Sequence, residues 1–588
     1  MNNEVSSSPP SSPPVPERPY RELTVISVIL GILIGSLMNA AFVYIALKLG
    51  FSLGGSTVAA IIGFGILKVS VDRASIIENN INQTIASGVN NASAGVVFTL
   101  PALFLMGADF SPWSAMLSAI AGTFLGIVII IPLRKQMIEF ERLRFPSGIA
   151  VASLLKSPGA GAQQAKLLGF GFALATLIHV SSELTGISEI DIGGILSIPS
   201  YFPIILGISF ASIGAGMLAG GGGLPFVAGG VLAWWVISPL VSQLGWLPSA
   251  DSLGLNADDT RVFSIQGQAL YQAMLRPLGI GTLIGGAIAG VIASLPALKG
   301  ALKSLSNAAQ AGASGSSDEL DANSLAIAAV SAFGLLFSAA VIASSQMSIL
   351  ECALIAVVGF LWLILAGLVV AQATGVTDIS PLSGMSLIGV TLMYFLSGGD
   401  TVVAVILGVA VCVGIGQCAD MMSDLKAGHL IGASPRKQQL AQLAFSWVGV
   451  PVAVGVLYLL WTPDGGGFGP GAASGLSAPQ GDALQGILKG LASGDAPLDK
   501  YFVGAIIGLS LGVFPISGLG VLVGLAMYLP FSVTLTYAVG SMISIGLEKS
   551  KGRSWMGSNV VPFAAGMIIG EALTSITAVL IRLATGAT

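Results

Sequence analysis

The sequence predicts an all-α polytopic membrane protein: about 14–16 transmembrane helices in two repeat-related halves, with re-entrant or broken segments. Three observations carry that prediction. Hydrophobic residues make up 54% of the chain and charged ones only 9%, against roughly 25% charged in soluble domains. Apolar runs of about 20 residues, each long enough to cross roughly 30 Å of hydrocarbon as a helix, recur from Leu23 to Leu583. The 78 glycines among 588 residues suit close helix packing and interrupted helices.

The elements follow in order. Residues 1–20 are rich in Ser and Pro and nearly devoid of apolar side chains, which predicts a disordered cytoplasmic tail. They lack the apolar stretch of a cleaved signal peptide, so the first span is expected to be retained. Candidate spans lie at 23–48, 52–70, 82–106, 112–133, 165–180, 201–219, 224–244 and 275–296 in an N-terminal half, 21–296. A cytoplasmic linker at 297–323 separates it from a C-terminal half, 324–588. That half offers 324–344, 350–372, 383–397, 401–418, 437–461, 501–526, 531–547 and 558–582. The short run 383–397 and the amphipathic stretches 145–156 and 421–432 read as re-entrant or interfacial. Gln163-Gln164 echoes Gln438-Gln439, and Leu224-Pro225-Phe226 echoes Leu529-Pro530-Phe531, which suggests an internal duplication.

Lys and Arg in short loops place the N-terminus in the cytoplasm, with the protein in a plasma or inner membrane. Lys549, Lys551 and Arg553 fall on the wrong side by simple alternation, so a segment near the C-terminus is expected to double back. The net charge of −4 and the absence of a basic domain give no reason to expect a nucleic-acid partner. Cys352, Cys412 and Cys418 lack the spacing of a zinc site or a disulfide framework. No metal site or cofactor is expected. There is no GxxxxGK[ST] or HExxH motif, so neither ATP-driven transport nor metal-dependent hydrolysis is expected from this chain.

Polar residues at membrane depth are where function is sought, because an unsatisfied amide or carboxyl in hydrocarbon costs several kcal/mol, roughly 2–7. Glu78, Asn79, Asn82, Gln83 and Thr84, with Asn90 and Asn91 beyond, form the densest such cluster. Gln417, Asp420, Asp424, Lys426 and His429 form a second, in which Asp420 and Asp424 share a helical face. Asp378, Ser380 and Ser383 precede a short helix and suit N-capping or an anion held at a half-helix end. Glu571 stands alone in the run Val560–Leu580, as a coupling acid or a structural partner. The candidate proton-coupling groups are therefore Glu78, Asp420, Asp424, His429 and Glu571, and the candidate substrate-binding groups are the first cluster with Gln417, Asp420, Asp424, Lys426, Ser380 and Ser383.

The motifs together resemble the oligopeptide transporter family, and within it prokaryotic members close to the yellow-stripe-like branch. The resemblance rests on Asn39 with Tyr44–Gly50, on Glu78–Ser87 and on Leu143–Gly148. Ser380–Met385, Ala419–Gln439 and Tyr528–Pro530 continue it in family order. It implies a secondary transporter, driven by a cation gradient such as protons, that imports small peptides or metal chelates of amino-acid-like ligands by alternating access. The opening signature of the peptide-transporting eukaryotic branch is missing, so that specificity does not carry over. The implied partners are a small peptide or metal-chelate substrate, protons, the lipid bilayer and, as an assembly option, a homo-oligomer. A passive channel for small polar solutes is the alternative reading, and accumulation against a gradient would separate the two.

Overall fold

The computed structural model describes residues 21–51, 55–70, 75–156, 160–198, 202–245, 270–293, 319–344, 346–377, 380, 382–472, 474–493, 497–514, 516 and 518–585. The predicted tail, most of the linker and Asp378 lie outside the described residues. The protein is an all-α multi-pass membrane protein. Among the described residues, 12 helical stretches are long and apolar enough to cross a membrane. A single two-stranded hairpin, Glu189–Asp191 with Ile205–Gly207, is described beside them.

The first helices are α1 (Val25–Leu49), α2 (Ser56–Ser70), α3 (Ile76–Thr99), α4 (Pro101–Met106), α5 (Pro112–Ile130) and α6 (Pro146–Leu155). Next come α7 (Ala160–Thr185), α8 (Ile192–Ile195), α9 (Phe210–Ala219), α10 (Leu224–Val231), α11 (Ser238–Gln243) and α12 (Arg276–Ala293). After the linker follow α13 (Ala322–Ala343), α14 (Ile349–Thr377), α15 (Leu382–Leu396), α16 (Thr401–Ile431), α17 (Pro435–Phe445) and α18 (Gly449–Trp461). The chain closes with α19 (Pro479–Ser493), α20 (Leu498–Leu511), α21 (Leu519–Tyr528), α22 (Phe531–Lys551) and α23 (Val561–Thr585). Capping fixes several starts. Asp321 accepts from Ser324 Oγ at 2.9 Å and from Ser324 N at 3.1 Å to open α13, and those bonds, the hydroxyl first, hold its carboxyl below the usual range.

The helices pack as two groups. In the first, α1, α2, α3, α5 and α6 surround α16 together with α13, α14, α15, α17 and α18. In the second, α7, α9, α10 and α12 pack on α20, α21, α22 and α23. Each group therefore draws helices from both sides of the linker. Glycines allow the closest approaches: Gly216 and Gly540 set α9 against α22, and Gly566 and Gly570 set α23 against α7. A Cβ at Gly216 would overlap the carbonyl of Tyr537, so the contact needs a bare backbone.

Several sequence-based boundaries change. The stretch 421–432 is not a separate re-entrant segment. It continues α16, a 31-residue helix buried almost throughout, because neighbouring helices rather than lipid or water cover its polar end. The run 501–526 is not one span but a hairpin. Along α12, Gly504 and Gly508 of α20 meet Leu278 and Thr282, and α21 returns from Gly520 at Gly286 to Tyr528 at Gly279. That hairpin is the expected doubling back, and it returns Lys549, Lys551 and Arg553 to the side where α1 begins. Within the apolar run 52–70, α2 is described from Ser56, which lies inside the bundle. Leu224-Pro225-Phe226 and Leu529-Pro530-Phe531 both fall in the second group, whereas Gln163-Gln164 and Gln438-Gln439 fall in different groups.

Candidate functional site

Helix α3 is the polar spine of the first group. Every residue from Glu78 to Thr99 is buried, although the helix carries five asparagines and a glutamine. Its neighbours explain how a polar helix stays at membrane depth. Contacts of Thr24 with Glu78 and of Asn39 with Val89 show that α1 runs parallel to it. Contacts of Val413 with Gly95 and of Asp424 with Gln83 show that α16 runs antiparallel.

One face of α3 meets α2. Asn79 Nδ2 donates to the carbonyl of Ala60 at 3.1 Å, and Asn82 Nδ2 donates to Asn79 Oδ1 at 3.3 Å. Gly55 and Gly63 of this region leave room for Asn90 and for Asn79 and Asn82. The other face meets α16 and α17 and holds Asp424, which is 1% exposed. Asp424 Oδ1 accepts from Gln83 Nε2 at 2.5 Å and from Ser56 Oγ at 3.1 Å. Asp424 Oδ2 accepts from Gln442 Nε2 at 2.8 Å. Ser56 Oγ also pairs with Ser87 Oγ at 2.9 Å, and Ser56 opens α2, whose positive end thus faces the carboxylate.

A second shell of amides surrounds this nest. Gln438 Nε2 donates to Thr84 Oγ1 and to the Asp424 carbonyl, each at 3.0 Å. Gln417 Nε2 donates to Gln442 Oε1 at 3.0 Å, and Asn91 Nδ2 donates to the Val413 carbonyl at 3.1 Å. Buried acceptors at Asn82 Oδ1, Gln83 Oε1, Gln417 Oε1 and Gln438 Oε1 have no hydrogen-bond partner among the described residues, nor does either amide atom of Asn80. Buried amides without partners are costly, about 1–3 kcal/mol each, unless a ligand or water completes them. The nest lies about 10 Å from the end of α16 at 1.5 Å per residue.

The structure thus brings together Asn79, Asn82, Gln83, Thr84, Asn90, Asn91, Gln417 and Asp424. The other predicted residues lie elsewhere. Glu78 sits in the first turn of α3, where it accepts from Thr24 Oγ1 at 2.5 Å. Asp420 is half-buried one turn before Asp424, Lys426 packs beside Gly148 of α6, and His429 is exposed in the last turn of α16. Ser380 pairs with Thr374 at 2.7 Å, while Ser383 lines a small cavity with Thr99 and Gln480.

Glu571 belongs to a different site. It accepts from Lys48 Nζ at 2.8 Å, from Ser209 Oγ at 2.9 Å and from Ala211 N at 2.8 Å. Gly31 of α1 packs on Asn82 and Ile85, so Lys48 lies roughly 25 Å further along that helix than the Asp424 level. The pair joins α1 of the first group to α23 of the second.

Ser56, Ser87 and Gln442 were not among the candidate residues. Gln442 was legible, since Gln438, Gln439 and Gln442 place three amides within two turns of one helix. Ser56 was not, because nothing in an apolar run marks where its helix begins.

A many-helix membrane protein whose interior gathers amides around a buried carboxylate has the build of a transporter. The comparisons specify which kind. The family model for the OPT oligopeptide transporter protein matches residues 22–582. A Haemophilus influenzae protein named "Putative oligopeptide transporter" is 28% identical over 597 residues, covering 91% of each chain. The iron-phytosiderophore transporter yellow stripe 1 of Zea mays is 25% identical over 56% of this chain and 51% of its own. The metal-nicotianamine transporter YSL2 of Oryza sativa subsp. japonica is 25% identical, with the same coverage of 56% and 51%. The chain belongs to the oligopeptide transporter family, whose members are transporters and not enzymes.

Proposed function

We propose that the protein is a proton-coupled secondary transporter that imports small oligopeptides or metal chelates of amino-acid-like ligands by alternating access. The single observation behind this reading is Asp424, a carboxylate buried among four helices whose hydrogen-bond partners are all neutral donors. Such a group can take up and lose a proton without stranding an opposite charge beside it. The neighbouring amides of α3, α16 and α17 offer both donors and acceptors to a peptide backbone or an amino-acid-like chelator.

The basic residues near the ends of α5 and α17 favour an N-terminus in the cytoplasm, in a plasma or inner membrane. On that orientation the nest opens nearer the cytoplasmic face. The two helix groups serve as the moving bodies, since contacts between them are fewer than contacts inside each.

The test is uptake in proteoliposomes under an imposed proton gradient. The cargo panel is di- to tetrapeptides and chelates of iron, nickel and manganese, first screened by ligand-induced thermal stabilisation. Accumulation above equilibrium that collapses with the gradient is expected. Equilibration that ignores the gradient would replace this reading by a passive channel.

A further inference from the structure

On the side of the molecule where α1 ends, the amphipathic helix α19 lies across the junction of the two groups. Its N-terminal segment is tied to the first group by backbone and amide bonds. Ala478 N donates to the Leu47 carbonyl at 2.8 Å, and Gln480 Nε2 donates to the Gly50 carbonyl at 2.9 Å. Gln485 Nε2 donates to the Leu105 carbonyl at 2.7 Å, in the last turn of α4.

Its attachment to the second group is of another kind. Asp482, with its side chain 1% exposed, receives a two-pronged pair from Arg276 at the start of α12. The Nε donates to Oδ2 at 3.0 Å and the Nη2 to Oδ1 at 2.7 Å. Tyr528 at the end of α21 donates its hydroxyl to the Ser477 carbonyl at 3.1 Å. A forked guanidinium pair is strong and geometrically exacting, so it holds only while the two groups keep one relative position.

Beneath α19 is the small cavity, lined by Thr99 of α3, Leu283 of α12, Ser383 and Ser386 of α15, and Gln480 and Leu484 of α19. Its walls come from both groups, and α19 is its roof. Arg276 is the natural release point, because its side chain is 30% exposed while Asp482 is enclosed.

We propose that α19 is a gate over this cavity on the side opposite the N-terminus, latched by the Arg276–Asp482 pair. It rests on the transport reading, because a gate implies a path through the cavity. Separating the groups breaks the guanidinium fork first and leaves α19 hanging from α1 and α4 by its amide bonds. The cavity then opens to a small polar solute of the class the transporter carries.

The test uses the full chain in lipid nanodiscs, with Cys352, Cys412 and Cys418 replaced by Ala and a reporter at Ser383→Cys. A membrane-impermeant maleimide is added and the labelling rate measured. Asp482→Asn and Arg276→Gln should each raise the rate by at least about fivefold, the lower end of ordinary coupling energies. The exchange Arg276→Asp with Asp482→Arg should bring it back towards the parent. Unchanged labelling in both single variants, with melting temperatures held, overturns the gate. If Asp482→Asn fails to fold, Arg276→Gln, whose side chain is already part-exposed, decides alone, and labelling at the parent rate in it overturns the gate. Uptake on the same variants separates the two readings: uptake without any labelling response overturns the gate alone, whereas a labelling response without uptake supports the gate and sinks the cargo assignment.

Discussion

Asp424 and Glu571 are both carboxylates buried at membrane depth, each fully supplied with donors, yet their partners differ in charge. Asp424 is held by two glutamine amides and a serine hydroxyl. Glu571 is held by an ammonium, a hydroxyl and a backbone amide. Neutralising Asp424 leaves only amides and hydroxyls, which can turn to suit a protonated acid. Neutralising Glu571 leaves Lys48 as a buried charge without its counterion, and that penalty runs to several kcal/mol. Placement follows the same logic: Asp424 sits within one helix group, whereas Glu571 and Lys48 clamp one group to the other. Two acids that look alike in sequence therefore differ in their surroundings: one has only neutral partners and the other an ammonium counterion.

The sharpest way to break this comparison is to remove one member of the clamp. Glu571→Ala should destabilise the protein by about 3–5 kcal/mol, the usual cost of orphaning one partner of a buried pair. Thermal melting in detergent and the folded yield would both fall. The paired replacement Lys48→Met with Glu571→Leu should recover most of that stability, since apolar side chains of similar size often replace buried ion pairs at little cost. A Glu571→Ala variant that melts like its parent would show that the pair carries no such weight.

At Asp424 the expected effect is the reverse. Asp424→Asn keeps the shape and adds no charge, so stability should stay within about 1 kcal/mol of the parent. Uptake driven by the proton gradient should fall by at least about tenfold, because the step that couples charge to movement is gone. Gradient-driven uptake by Asp424→Asn at the parent rate would remove the residue from the coupling role.

The sequence made the fold class and the polar spine legible, because apolar runs and buried amides are both local signals. The run Glu78–Thr84 announced itself as polar within an apolar chain, and α3 carries it into the bundle interior beside Asp424. What stayed hidden is set by distant contacts. The partner of Glu571 lies 523 residues away in sequence, so no spacing rule could connect them. The polar end of α16 read as amphipathic because its composition says so, whereas α3, α6 and α17 bury it from Met421 to Gly428 and leave only its last turn exposed. The hairpin of α20 and α21 read as one span because its turn carries glycines and apolar residues, much like the helices it joins.

A subtler test concerns the amides that make the Asp424 site. Gln442 donates to the carboxylate and, at 3.4 Å, to the Thr84 carbonyl, and accepts from Gln417, so Gln442→Ala removes three bonds and leaves their partners buried. A loss of about 1–3 kcal/mol is expected by thermal melting. Gln442→Glu keeps the length but sets a second carboxylate against the first, which should weaken uptake beyond what the stability change explains. A uniform, small effect of both variants on uptake would mean that Gln442 only fills space.

The weakest expected effect lies at the outer end of the Glu571 site. Glu183 is half-exposed, 3.8 Å from His179 Nε2 and 3.6 Å from Arg582 Nη1. Long contacts between solvated charges contribute little, typically under about 1 kcal/mol. Glu183→Gln should therefore shift melting only slightly and leave uptake at the parent rate. If it instead matched Glu571→Ala, the clamp would have to extend through His179 and Ser575, which meet at 2.8 Å, and the boundary drawn between a sealed acid and a solvated one would have to move outward.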